Sequence, residues 1–103
     1  MAIADIDSGI CGFHSHVETV LEEDVVKIQM TSECSAIQRL AQALTEVSPY
    51  GEISFRRKMP VTLEMGAKYC THSACPVPVG IIKAVEIAAG LALPHDVRIQ
   101  LKK

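Results

Sequence analysis

Alternating apolar and polar side chains predict two adjacent strands in the first third of the chain. One side of the segment 13–19 carries Phe13, Ser15, Val17 and Thr19, and the other carries His14, His16 and Glu18. After a charged turn, Val26, Ile28 and Met30 repeat the two-residue period. This period is typical of strands with one buried face, so we predict an antiparallel hairpin with strands at 10–20 and 25–30. Residues 1–9 are predicted to be a leader or an edge strand.

Apolar side chains at a spacing of three and four residues predict the first helix. The side chains at this spacing are Ile37, Leu40, Ala41, Leu44 and Val47. A cluster of capping residues at 31–35 precedes them, and the proline and glycine of the segment 48–51 end the run.

Two further helices are predicted on either side of a proline-containing connection. Pro60 suits a first helical turn, so residues 61–69 are predicted to be helical. The connection that follows is predicted to be irregular, because Pro76 and Pro78 each lack a backbone donor. The last helix is predicted over about 79–91, with a glycine near its end as terminator.

The remaining segments complete a single-domain prediction over residues 1–103. Residues 52–59 fit a short strand or a loop, and Val97–Leu101 are predicted to be extended after Pro94. The element order then runs strand, strand, helix, unassigned segment, helix, helix, strand. We therefore predict an α+β fold, in which helices pack on one face of a small antiparallel sheet.

Composition excludes several classes of function. A net charge of −2 provides no basic field for nucleic acid, and aromatic residues make up only 4% of the 103 residues. No run of about 20 apolar residues is present, so no membrane span is predicted. We expect a cytoplasmic protein whose thiols stay reduced. Phosphate-binding and nucleophile motifs are absent, which favours a role other than that of an enzyme.

Four cysteines carry the candidate chemistry. Cys11 is predicted at a strand start, Cys34 before a helix, Cys70 at a helix end and Cys75 before another helix. Free N–H groups at a helix start favour thiolate, which is the form that binds metal. We therefore predict a metal site formed by these four cysteines, with His72 as a substitute ligand or a hydrogen-bond donor to sulfur.

Alternatives remain open, because the spacing contains no CxxC pair. Cys70 and Cys75 could form a thiol–disulfide redox pair, or all the cysteines could pack in the core of a metal-free interaction domain. His14 and His16 are interpreted as surface histidines on the outer face of the sheet. A protein partner is compatible with this sequence, and so is either a monomer or a homodimer.

The order of these motifs resembles that of the U-type iron–sulfur cluster scaffold proteins. Cys11-Gly12 opens a hairpin, Cys34-Ser35-Ala36-Ile37 opens a helix, and His72 and Cys75 precede a final helix. The resemblance implies the scaffold fold and an iron–sulfur cluster. The chain departs from it at Phe13, where the scaffolds have an acidic residue, and in the two residues between His72 and Cys75. It also lacks the Leu-Pro-Pro-Val-Lys segment, so handoff through the scaffold chaperone is not implied.

With its fourth cysteine, the chain also resembles small domains named for a Thr-Ser-Cys-Pro-Asp motif. Their order of cysteines matches Cys11, Cys34, Cys70 and Cys75-Pro76, although the motif itself here reads Ser-Ala-Cys-Pro-Val. Short four-cysteine proteins of anaerobic microbes also share the Ala-Cys-Pro-Val-Pro and Leu-Ala-Leu-Pro segments. This resemblance implies zinc or an iron–sulfur cluster. Soft thiolates exclude Mg²⁺ and Ca²⁺ but do not choose between those two.

Overall fold

A four-stranded antiparallel sheet forms one layer of the protein in a computed structural model that describes residues 1–103. Its strands lie in the order of the chain: β1 (Ala2–Asp7), β2 (His14–Glu22), β3 (Val25–Ser32) and β4 (Glu46–Val47). The predicted hairpin is confirmed as the β2–β3 pair. The first residues form an edge strand, which decides between the two predictions made for that segment.

Three helices form the second layer and confirm the predicted α+β fold. They are α1 (Ser35–Ala43), α2 (Val61–Tyr69) and α3 (Val77–Ala88). Helix α3 packs on β1 and β2, whereas α1 packs on β3 and α2 lies against the other two helices. The sheet thus has one face covered by helices and one face open to solvent, as the two-residue period predicts.

The core lies between the sheet and the helices. Its largest buried side chains come from alternate strand positions and from the inner stripe of α1 and α3; they include Val17, Val26, Ile37, Leu40, Ile81 and Val85. Thr19 is also fully buried, and its hydroxyl donates a hydrogen bond of 2.8 Å to the carbonyl of Ala84. That bond satisfies a polar group which would otherwise destabilise the core.

Two helix boundaries differ from the prediction. Helix α1 ends at Ala43, and Val47 instead joins β4, where it pairs with Val26. Helix α3 begins at Val77, so Pro78 is its second residue rather than part of the connection. A proline is tolerated there because the N–H groups of a first helical turn have no partner within the helix.

One predicted strand begins later than expected, and another does not form. Cys11 lies in a turn, and β2 begins only at His14, because Gly9 and Gly12 adopt positive φ angles of 83° and 74°. Residues 97–101 form no strand and are exposed. The segment 52–59, which was left between strand and loop, is a succession of turns and bends. No helix in the structure combines the length and the apolar character that crossing a membrane requires.

Candidate metal centre

Two of the predicted ligands flank the same end of the sheet. Cys11 lies in the connection that joins β1 to β2, and Cys34 lies two residues beyond the end of β3. The pairing register places Ile6 beside Ser15 and Ser15 beside Ser32, so β1, β2 and β3 have these ends side by side. Cys11 and Cys34 are therefore brought to one end by strand pairing.

Packing of α3 on the sheet brings Cys75 to that end as well. A Cβ built on Gly80, in the first turn of α3, would lie 2.8 Å from Cγ1 of Ile6 near the end of β1. The later Ala84 accepts the hydrogen bond from Thr19, which pairs with the first residue of β1. Helix α3 thus begins at the end of the sheet that holds the turn between β1 and β2, and Cys75 precedes it by two residues.

Cys70 reaches the same place because α2 ends against the start of α3. Its backbone N–H closes α2 by donating to the carbonyl of Gly66 at 2.8 Å. A Cβ on Gly66 would lie 2.8 Å from Cγ of Pro78, so the two helices approach closely at this point. The Cys75 N–H donates to the His72 carbonyl at 3.3 Å and turns the short connection back on itself.

The thiols of this connection influence one another. Burial is the main cause that raises the pKa of Cys70 to about 11, and the neighbouring thiols of Cys75 and Cys34 contribute to the same rise. Cys34, Cys70 and Cys75 are all half-buried and packed against the hydrophobic core. The raised pKa favours the neutral thiol form of Cys70, because partial burial and nearby thiols both oppose a negative charge on its sulfur.

Cys34 occupies the N-cap position of α1. Its backbone is extended there, with φ −79° and ψ 122°, and its side chain makes no capping hydrogen bond. Its N–H instead donates to Oγ of Ser32 at 3.1 Å. The thiol therefore stands at the positive end of the helix dipole, as the sequence predicts.

The remaining two predicted ligands are exposed. The Cys11 side chain lies in the solvated turn, and the His72 side chain is exposed although its backbone closes the connection. No group of three or more His, Cys, Asp or Glu side chains is arranged to hold a metal ion in this conformation. Cys34 and Cys75 lie near enough to Cys70 to raise its pKa, and these three thiols form the candidate cluster, but they are not arranged as a coordination shell.

Glu52 is an important residue that the sequence interpretation missed. Its side chain is 2% exposed, and its two carboxylate oxygens accept hydrogen bonds from the N–H groups of Val61 at 3.0 Å and Thr62 at 2.8 Å. The residue at the N-cap of α2 is Pro60, which has no group that could serve. Glu52 therefore caps α2 from a distance and fixes the helix that ends in Cys70.

On the open face of the sheet, two histidines and three carboxylates form a ladder across β1 and β2. His14 contacts Asp7 at 2.9 Å and Asp5 at 3.4 Å, whereas His16 contacts Asp5 at 2.7 Å and Glu18 at 2.9 Å. Hydrogen bonds to these carboxylates raise the pKa of both histidines, and the bond to His16 is the main cause that lowers the pKa of Asp5. The geometry agrees with the interpretation of His14 and His16 as surface residues.

We expect this ladder to make stability depend on pH. A raised histidine pKa stabilises the fold fully below the unfolded value of 6.5, and the contribution is lost as the pH rises through the folded value. The lowered pKa of Asp5 stabilises the fold above the unfolded value of 3.8, and this contribution is lost as the pH falls through the folded value. Urea denaturation should thus give a lower free energy of unfolding at about pH 8 than at about pH 6.

Replacing both His14 and His16 with glutamine should remove most of that difference, while His95→Gln, a change of an exposed turn residue, should preserve it. High salt should reduce the pH dependence of the unfolding free energy of the parent protein, because the charged groups of the ladder are exposed and therefore screened. An unchanged slope in the double variant would show that the ladder contributes nothing.

The whole of this architecture corresponds to a recognised family. The chain belongs to a family of unknown function, DUF6951, whose profile matches residues 2–101. No curated protein matches the chain significantly, and no solved structure does. The match covers every strand and helix, all four cysteines and nearly all of the exposed segment that follows α3.

Proposed function

We propose that this member of DUF6951 binds a soft metal, as a zinc ion or an iron–sulfur cluster, through Cys34, Cys70 and Cys75, with Cys11 as fourth ligand. The observation that carries the proposal is the convergence of three half-buried thiols from the start of α1, the end of α2 and the approach to α3. The start of α1 is far in the sequence from the other two elements, which are consecutive. One shared ion would tie them together.

The donor set fits a soft cation. Three or four thiolates complete a tetrahedral zinc site or hold one cluster, whereas Mg²⁺ and Ca²⁺ require oxygen ligands. A cation at the cluster would offset the burial and the influence of the neighbouring thiols, which together favour the protonated form of Cys70. The order of cysteines that resembles U-type scaffolds and the Thr-Ser-Cys-Pro-Asp domains supports the same conclusion. A reducing cytoplasm would preserve the thiols for this role.

Completing the site requires movement of the turn that holds Cys11. This turn is solvated and has glycines with positive φ at positions 9 and 12, so it can change conformation more readily than the strands it joins. His72 is next to the cluster in sequence and is exposed. We assign it the role of a hydrogen-bond donor to a ligating sulfur, or of a substitute for Cys11.

The test is elemental analysis and absorbance spectroscopy of protein purified and reconstituted without oxygen. The parent protein should hold a stoichiometric amount of zinc, or of iron and sulfide with charge-transfer colour. The variants Cys34→Ser, Cys70→Ser and Cys75→Ser should each lose it, and Cys11→Ser should retain it with weaker affinity.

Two neighbouring variants serve as controls. Ser73→Ala lies in the same exposed connection and should bind metal normally. His72→Ala should weaken binding by about 10-fold or more if the imidazole supports a ligating sulfur. A parent protein that remains free of metal, or metal content that survives all three cysteine substitutions, would contradict the proposal.

A second candidate function is thiol–disulfide exchange by Cys70 and Cys75, favoured by the short, turned connection between them and by the influence of Cys75 on the pKa of Cys70. Oxidation would join the two sulfurs and release two protons and two electrons to a disulfide oxidant such as oxidised glutathione. Mass spectrometry of protein held in glutathione buffers separates the two functions. Metal binding predicts that the disulfide forms only after chelation. A reversible disulfide with unchanged metal content would favour the redox function.

A further inference from the structure

The segment after α3 has a strand-like sequence but no partner within the chain. Val97, Ile99 and Leu101 alternate with Arg98, Gln100 and Lys102. The three apolar side chains are 62%, 75% and 88% exposed. None of the backbone hydrogen bonds of the protein involves residues 92–103. Such alternation is typical of a strand with one buried face, yet nothing here buries it.

The end of α3 is well defined, so the exposed segment is not a frayed continuation of the helix. Gly90 has a φ of 75°, and its N–H donates to the carbonyl of Ile87 at 3.1 Å. The N–H of Leu91 donates to the carbonyl of Glu86 at 2.8 Å. These two bonds form a Schellman motif, which stops the helix and turns the chain away from its axis.

A strand edge of matching length is open on the same protein. Strand β1 is the outermost strand and pairs only with β2, so one side of its six-residue backbone has no partner. Its inward positions are Ala2, Ala4 and Ile6, and its outward positions are Ile3, Asp5 and Asp7. An unpaired edge of this kind is a template for another strand.

We infer that residues 97–102 of one copy of this chain pair with β1 of a second copy, and that the exchange is reciprocal. Residues 97–102 match the six residues of β1 in length. Continuing the sheet would place Val97, Ile99 and Leu101 on the helix side, in line with the apolar positions of β1. A reciprocal exchange closes a twofold dimer and leaves neither edge open.

Charge complementarity identifies a second copy as the occupant. When Val97, Ile99 and Leu101 face the helices, Arg98 and Lys102 face the open side of the sheet. Asp5 and Asp7 of β1 lie on that same side. The Asp7 side chain is 90% exposed although it contacts His14, so it can accept a further cation. Opposite charges on neighbouring strands favour pairing and like charges oppose it.

The oligomeric state of the intact protein tests this inference. Light scattering after gel filtration, in reducing buffer with chelator so that no metal or disulfide bridges the copies, should give a dimer. Ile99→Ser should shift it to monomer, whereas the adjacent Gln100→Ser, which introduces the same residue on the open face, should remain dimeric. The double variant Arg98→Glu/Lys102→Glu should also weaken the dimer, and adding Asp5→Lys/Asp7→Lys should restore part of it.

Cross-linking distinguishes exchange between copies from folding back within one copy. An equal mixture of ¹⁴N and ¹⁵N protein, unfolded and refolded together, is treated with a carbodiimide that joins lysine to carboxylate. Exchange predicts peptides that join Lys102 to Asp5 or Asp7 with mixed isotopes. Links with a single isotope only, a monomeric parent protein, or a dimer that Ile99→Ser leaves intact would overturn the inference. None of these results depends on metal binding.

Discussion

Glu52→Ala should lower the free energy of unfolding by about 2–3 kcal/mol, because the substitution leaves two N–H groups at the start of α2 without acceptors. One of these groups, on Thr62, is fully buried and has no access to water. The lost carboxylate also opposed the positive end of the helix dipole. Urea denaturation monitored by circular dichroism measures the change.

Two variants control this result. Glu52→Gln keeps the shape and one acceptor oxygen, so we expect about half the loss of the alanine variant. Glu64→Gln removes a carboxylate from the first turn of the same helix, but that side chain is exposed and the loss should stay within about 0.5 kcal/mol. A Glu52→Ala protein as stable as Glu64→Gln would show that the buried carboxylate does not hold α2.

The predictions that the structure confirms concern elements with one buried face. Ser15, Val17 and Thr19 lie on one face of β2 and are all fully buried, as the two-residue period indicates. Helix α2 spans the predicted residues 61–69, because Pro60 defines its start and Cys70 leaves the helical conformation. In these segments local pattern and tertiary packing favour the same structure.

The incorrect predictions arise where packing partners decide the outcome. The two-residue period of residues 97–101 indicates which side chains would share a buried face, but it does not say what would bury them. The position of Val47 is compatible both with the helical spacing of the preceding residues and with the strand that it forms. It joins β4 because β3 offers it a partner in Val26.

The boundary positions of the candidate cysteines were predictable from the sequence, but their arrangement in space was not. The sequence places cysteines at the boundaries of helices, and three of them do converge. Their convergence depends on two close approaches, between Gly66 and Pro78 and between Gly80 and Ile6, which no local pattern encodes. The capping of α2 by Glu52 is not predictable from local sequence either, since Glu52 lies nine residues before Val61, whose N–H donates to it.

Gly80→Ala should destabilise the protein by about 1–2 kcal/mol, although alanine is the better helix former by about 1 kcal/mol. The new methyl would lie 2.8 Å from Cγ1 of Ile6 and closer still to its Cδ1. Ile6 is 9% exposed and belongs to the core, so its side chain has little room to move. The Ile6 side chain must then leave its packed position, or helix α3 must shift away from β1 and move Cys75 with it.

A double-mutant cycle isolates this contact. Ile6→Val removes Cδ1, so Gly80→Ala should cost less in that background, with a coupling free energy of about 0.5–1 kcal/mol. Gly51→Ala is the control, because its Cβ would meet nothing within 4 Å and its backbone φ is not positive. Denaturation of the four proteins of the cycle measures the coupling. If Gly80→Ala lowers the free energy of unfolding equally in the parent protein and in the Ile6→Val variant, α3 and β1 have room between them. The approach of Gly80 to Ile6 would then not be what fixes the position of Cys75.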